Sequence, residues 1–145
     1  MNKERTSKPI QTAVIALSLV FSCVWADIQS PDSVEAEVVL QTTTSWDGTT
    51  LPEYPKGQPE VTILKITVPK GVQLPMHHHP VINAGIVLKG EITVTKQDEE
   101  KIVLKAGDAI AEVVDQWHFG ANTGDEPTEI LVFYAGVKDK PITVK

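Results

Sequence analysis

The sequence predicts an all-β barrel, and three observations carry that prediction. Short runs rich in Val, Ile and Thr recur at close spacing beyond residue 59. Gly, Pro and Asp turn signals separate them, and no segment beyond residue 26 sustains a helical period.

The chain begins with a basic head, Lys3, Arg5 and Lys8 against Glu4, followed by the apolar run Ile10 to Ala26, which closes on Val24-Trp25-Ala26. That run is short for a membrane span and suits a secretory signal helix. Residues 1–26 are therefore expected to be cleaved after Ala26, placing the protein in the periplasm or outside the cell. An uncleaved anchor, a buried helix, and lipidation of Cys23 in the lipobox-like Val20-Phe21-Ser22-Cys23 are competing readings. Phe21 is bulky for the last of these.

Cleavage leaves 119 of the 145 residues, an ordinary single domain. It removes three of 13 basic residues and one of 19 acidic ones, so the net charge passes from −6 to −8. Such a balance argues against nucleic acid and against an anionic membrane surface as partners. The single cysteine, Cys23, lies in the leader, so the mature chain has no disulfide, thiolate ligand or cysteine nucleophile.

Residues 27–59 read as a strand and a loop packed on the barrel. Ser33 to Thr42 is β-branched and partly alternating, a first strand. From Thr43 to Pro59 three prolines, two glycines and Asp47-Gly48 break the pattern, with Trp46, Leu51 and Tyr54 as apolar exceptions. Trp46 and Tyr54 are expected to cap one end of the barrel, and the functional alternative puts one of them at the mouth of a pocket.

The barrel itself is expected over 60–137. Glu60 to Pro69 alternates and stops at Pro69-Lys70-Gly71. Ile86 to Leu88 and Glu91 to Thr95 form a pair of strands around Gly90; Gln97-Asp98-Glu99-Glu100 reads as a solvated hairpin tip without function. Lys101 to Leu104 and Ala109 to Val114 follow, joined by a turn at Lys105 to Asp108. Glu129 to Ala135 is the most apolar strand, in which Phe133 and Tyr134 must face opposite sides. Residues 138–145 are a tail, with Ile142 to Val144 suited to an edge strand.

Chemistry concentrates in the histidines. Strand side chains alternate, so His77 and His79 share a face and His78 takes the other. Asn83 has the parity of His79, and Pro75 and Pro80 restrict the backbone around the cluster. His118 answers from a later strand, between Trp117 and Phe119. Taken alone, a His run binds metal loosely and a lone buried His is more often a hydrogen-bonded core residue.

The larger pattern weighs against that. Gly71, five residues, His77, one residue, His79, three residues, Asn83, six residues and Gly90, followed by Gly107, His118 and Asn122, resembles the two motifs of the cupin superfamily. The likeness covers roughly residues 60 to 135. It departs at Asn83, where the family has Glu, and at Val113 and Asp115, where it has Pro and Gly. The resemblance implies a double-stranded β-helix, or jelly-roll, with a divalent metal on His77, His79 and His118 and with Asn83 as a candidate fourth ligand or a residue orienting water or substrate.

Three neutral imidazoles suit Zn, Fe, Ni or Cu, and an added carboxylate would suit Mn or Fe. With an amide at position 83 the ion keeps more of its positive charge for a small, anionic, chelating molecule. Cupins without the Glu include active three-His enzymes such as thiol dioxygenases. Glu112, Tyr134 and Tyr54 are the polar candidates for a catalytic role, while Asn122 reads as a turn brace. Two classes of function follow: a metal-dependent dioxygenase, isomerase or lyase, and a noncatalytic periplasmic protein that binds a small molecule or a metal. The family resemblance also makes a homodimer the expected assembly.

Overall fold

Alternating burial marks the strands of the computed structural model, which describes residues 34–145. Seven strands run in order: β1 (Pro59–Val68), β2 (Asn83–Lys89), β3 (Glu91–Lys96), β4 (Lys101–Lys105), β5 (Ala109–Ala111), β6 (His118–Ala121) and β7 (Thr128–Val137). They form two sheets, one ordered β1-β7-β2-β5 and the other β4-β3-β6, with every pairing antiparallel. The architecture is all-β, as the sequence predicts.

The core lies between the inner faces. Val68, Val87, Ile92, Val94, Leu104 and Ile110 pack into one cluster, and Val81, Val132 and Tyr134 into a second. On β7 the parity expectation holds: Tyr134 is 3% exposed and Phe133 44%. Gly90 turns β2 into β3 at φ +74°, where an added Cβ would also stand 3.0 Å from the Pro127 carbonyl oxygen. Only glycine takes both demands without strain.

Three expectations need correction. Residues 34–42 form no strand, and Val34, Val38, Val39 and Leu40 are all exposed. Their β-branched composition is a local preference, whereas a strand needs a partner for its backbone groups, and among the described residues none pairs with this stretch.

Trp46 packs on the first core cluster, but Tyr54 is 77% exposed and caps nothing. Pro52 and Pro55 hold it in an unpaired surface stretch. The 97–100 turn is more than a solvated tip. Asp98 and Glu100 reach the Lys96 ammonium at 3.3 and 2.7 Å, and Lys96 in turn holds the buried Asp47 carboxylate at 3.0 Å. This ion cluster and the Trp46 N–H donating to the Ala111 carbonyl (3.0 Å) fasten the 43–50 loop to the barrel.

The tail of residues 138–145 is tied to the barrel. Val144 and His78 exchange two backbone hydrogen bonds, of 2.9 and 3.0 Å, so the edge pairing expected through Ile142 to Val144 is present. The signal helix of residues 1–26, with Cys23, lies outside the described residues. Among the described residues no helix is long and apolar enough to cross a membrane.

Asn122 braces its turn. Its buried amide donates to the Val68 and Glu126 carbonyls at 2.9 and 2.8 Å and accepts the Gly124 N–H at 3.0 Å. Asn122→Ala removes all three bonds and leaves carbonyls unpaired, so urea denaturation should register a loss of about 3 kcal/mol at roughly 1 kcal/mol per bond.

Candidate metal centre

Backbone pairing brings the histidines together. His77 and His118 exchange two hydrogen bonds of 2.9 Å as an antiparallel bridge, which places their side chains on one face as cross-strand neighbours. His79 follows two residues on, where its carbonyl accepts the Asp115 N–H at 2.9 Å. The potential ligand atoms of the three rings lie within 4.8 Å of one another. His78 points away, against Trp117 and 3.3 Å from Asp115.

Each ring is aimed by its other nitrogen. Nδ1 of His77 sits 2.7 Å from the Pro75 carbonyl, that of His118 2.8 Å from the Gln116 carbonyl, and that of His79 2.8 Å from the Ile142 carbonyl. A carbonyl only accepts, so Nδ1 must carry the proton, and the lone pair of each neutral ring is left on Nε2. This is how metal-binding imidazoles are oriented. Thr143 Oγ1 adds a contact to His79 Nδ1 at 3.2 Å. Burial holds all three rings below the ordinary histidine pKa, His79 at about 4, so the neutral form prevails at pH 7.

Beside the histidines lies a cavity of about 70 Å³. Ile66, Leu74, Val87, Ile92, Leu104 and Val132 are among its apolar walls, and the polar groups facing it are the three ligand histidines, Asn83, Glu112 and Tyr134. Asn83 is fully buried with both amide atoms unpartnered. Glu112 Oε2, also buried and unpartnered, stands 3.7 Å from His118 Nε2. Desolvation pushes its carboxyl up to about 7 against the opposing pull of His77, the Val113 N–H and Trp46, whose indole N–H makes no hydrogen bond of normal geometry. Burial, with Glu112 as a second cause, raises the Tyr134 hydroxyl, and its ring lies edge-on to His79 at 5.3 Å between centroids.

Of the residues singled out in the sequence, His77, His79, His118, Asn83, Glu112 and Tyr134 thus converge on one cavity, and Tyr54 does not line it. Sequence reasoning missed the carbonyls. Those of Pro75 and Gln116 precede their histidines by two residues, a local spacing that a search for oriented imidazoles would find. That of Ile142 is 63 residues from His79 and leaves no local signal.

Comparison with known proteins agrees with this geometry. Residues 64–134 match the family model described as a cupin domain. Solved structures share the fold: an oxalate oxidase in complex with the substrate analogue glycolate is 24% identical at TM-score 0.51, covering 58% of this chain and 45% of that one. The DMSP lyase DddQ from Ruegeria pomeroyi DSS-3 is 24% identical at TM-score 0.51, covering 58% and 42%. A cupin-like protein from Thermotoga maritima is 19% identical at TM-score 0.53, covering 58% and 62%. The chain spans less than half the length of the first two, and at these identities the likeness is one of fold alone. No curated protein matches the chain.

The donor set of His77, His79 and His118, three oriented neutral imidazoles, fits a divalent ion, and the unpartnered Glu112 carboxyl stands beside His118. The low histidine pKa values also govern the metal-free protein. His79 falls from 6.5 to about 4 on folding, so the unfolded chain binds more protons between those values and stability rises with pH across that window. Glu112, raised from 4.5 to about 7, pulls the other way across the same window, because there the folded chain binds the extra proton. Urea titrations of the metal-free protein should therefore show a larger gain in stability from pH 4.5 to pH 7 in Glu112→Gln than in the wild type, with up to about 3 kcal/mol of that gain from His79.

Proposed function

We propose that the protein is an exported cupin that binds one divalent metal through His77, His79 and His118 and acts on a small molecule held in the barrel. One observation carries this reading: all three rings are fixed by Nδ1 hydrogen bonds that leave Nε2 free toward a common point. Export rests on the basic head and apolar run of residues 1–26.

A redox-active ion such as iron, when bound, would supply adjacent positions for substrate and O₂, which puts dioxygenation first and isomerase or lyase chemistry behind it. The chain's own groups define what the substrate meets. The aliphatic walls exclude water and favour an apolar body. No Lys or Arg is among the lining residues, so an anionic group on the substrate would find its counter-charge at the ion. The Tyr134 hydroxyl is a group able to take up or give a proton there, and the Glu112 carboxyl, raised to about 7, shares that role only where it does not hold the ion. Homodimer formation is proposed on the apolar outer sheet face, where Val61, Ile63 and Phe133 are exposed.

Metal content decides the reading first. Mature protein purified without a His-tag should carry near-stoichiometric Fe, Mn, Ni, Cu or Zn, and His77→Ala combined with His118→Ala should carry none. Metal retained by the double variant, or no metal bound even on reconstitution, sinks the three-histidine site. Substrate-dependent consumption of O₂ by the loaded protein then favours the dioxygenase. Tight binding of a small molecule that survives a chelator favours instead a noncatalytic binding protein.

A further inference from the structure

We propose that Glu112 is the carboxylate ligand of this metal site, supplied from the residue that follows β5 in place of the Glu that position 83 lacks. The inference rests on the three-histidine reading above and adds to it a fourth donor.

Pairing of β2 with β5 sets Ala84 opposite Ala111, and the Glu112 N–H donates to the Asn83 carbonyl at 3.1 Å just beyond that ladder. Residues 83 and 112 are therefore neighbours, and both side chains face the cavity. A carboxylate lost from one can be replaced from the other with the site's charge unchanged.

The position of Glu112 fits the role. Two donors at about 2.1 Å from one tetrahedral ion stand ~3.4 Å apart. Glu112 Oε2 is 3.7 Å from His118 Nε2, a few tenths of an ångström from that spacing. The donor atoms that lie within 4.8 Å of one another are those of His77, His79 and His118 alone, so the carboxylate closes onto the ion by a side-chain rotation. The same oxygen is buried and has no hydrogen-bond partner. A buried carboxylate without a partner is costly, and no Lys or Arg lines the cavity to offset it. A cation at the focus of the histidines is the partner that this oxygen lacks. The alternative neutral partner, the Trp46 indole N–H, is itself without a normal hydrogen bond. Asn83, with both amide atoms unpaired, is left to bind a water or a substrate atom beside the ion.

The site would then hold three neutral imidazoles and one carboxylate, a set that suits Mn or Fe. Bound Mn²⁺ or Fe²⁺ would carry a net site charge of one rather than two.

The test uses the full mature chain with Co²⁺ and Mn²⁺ as probes, comparing wild type, Glu112→Gln, Glu112→Asp and the double variant Asn83→Glu with Glu112→Gln. Expected results are a Co²⁺ visible spectrum altered in Glu112→Gln, Mn²⁺ binding weakened at least ~10-fold, and both restored in the double variant. Circular dichroism and thermal melts of the metal-free proteins check folding, and Glu112→Asp keeps the charge should Gln prevent folding; its Co²⁺ spectrum should also change because the shorter side chain draws the oxygen back. An unchanged Co²⁺ spectrum and unchanged Mn²⁺ affinity in Glu112→Gln or Glu112→Asp would overturn the assignment, as would weakened binding that Asn83→Glu does not rescue. Failure of the wild type itself to bind either ion would overturn the three-histidine reading instead.

Discussion

Three Nδ1–H···O=C hydrogen bonds, to Pro75, Gln116 and Ile142, are the constraint on which the site depends. Each fixes a tautomer and a ring direction together, and burial keeps the rings neutral, so an imidazole that would otherwise be an ordinary core histidine is left able to ligate an ion. The fold exists around this point as a frame. The His77 and His118 bridge sets two rings side by side, and Val144 holds the back of the same segment through His78.

A second set of contacts fixes the wall opposite. Lys96 gathers Asp47, Asp98 and Glu100, with side-chain exposures of 9% for the lysine and 3% for Asp47. A pair so enclosed is far from a surface ion pair, and its Asp47 member carries the loop that sets Trp46 beside Glu112. The charged turn after β3 and the polar floor of the cavity are therefore parts of one structure, joined through the 43–50 loop.

Much of this was legible in the sequence. Period-two alternation alone separates His77 and His79 from His78, and Phe133 from Tyr134, because side-chain direction in a strand depends only on parity. Turns marked by Gly71, Gly90 and Gly107 fall where the backbone takes positive φ. What stayed hidden depends on partners far along the chain. Residues 34–42 have strand composition but no neighbour to pair with, Asp98 and Glu100 look solvated until Lys96 and Asp47 are seen between them, and Ile142 has no reason to be linked with His79 until the sheets are in place. Glu112 had the right parity, but parity could not show that Asn83 would be its neighbour.

The Ile142 clamp also bears on the order of events during folding. β1 pairs with β7 along their whole lengths, and the carbonyl that aims His79 lies beyond β7. Contacts so distant in sequence form late and slowly, because loop-closure entropy must be met before they stabilise anything. An ion arriving early would find a flexible His-X-His segment with neither His118 nor a fixed His79 ring in place. Metal capture at the proposed site would follow barrel closure rather than nucleate it, the reverse of a zinc finger, whose fold waits for its ion. The metal that such a site would end with is then set by whichever ions surround the chain where the barrel closes.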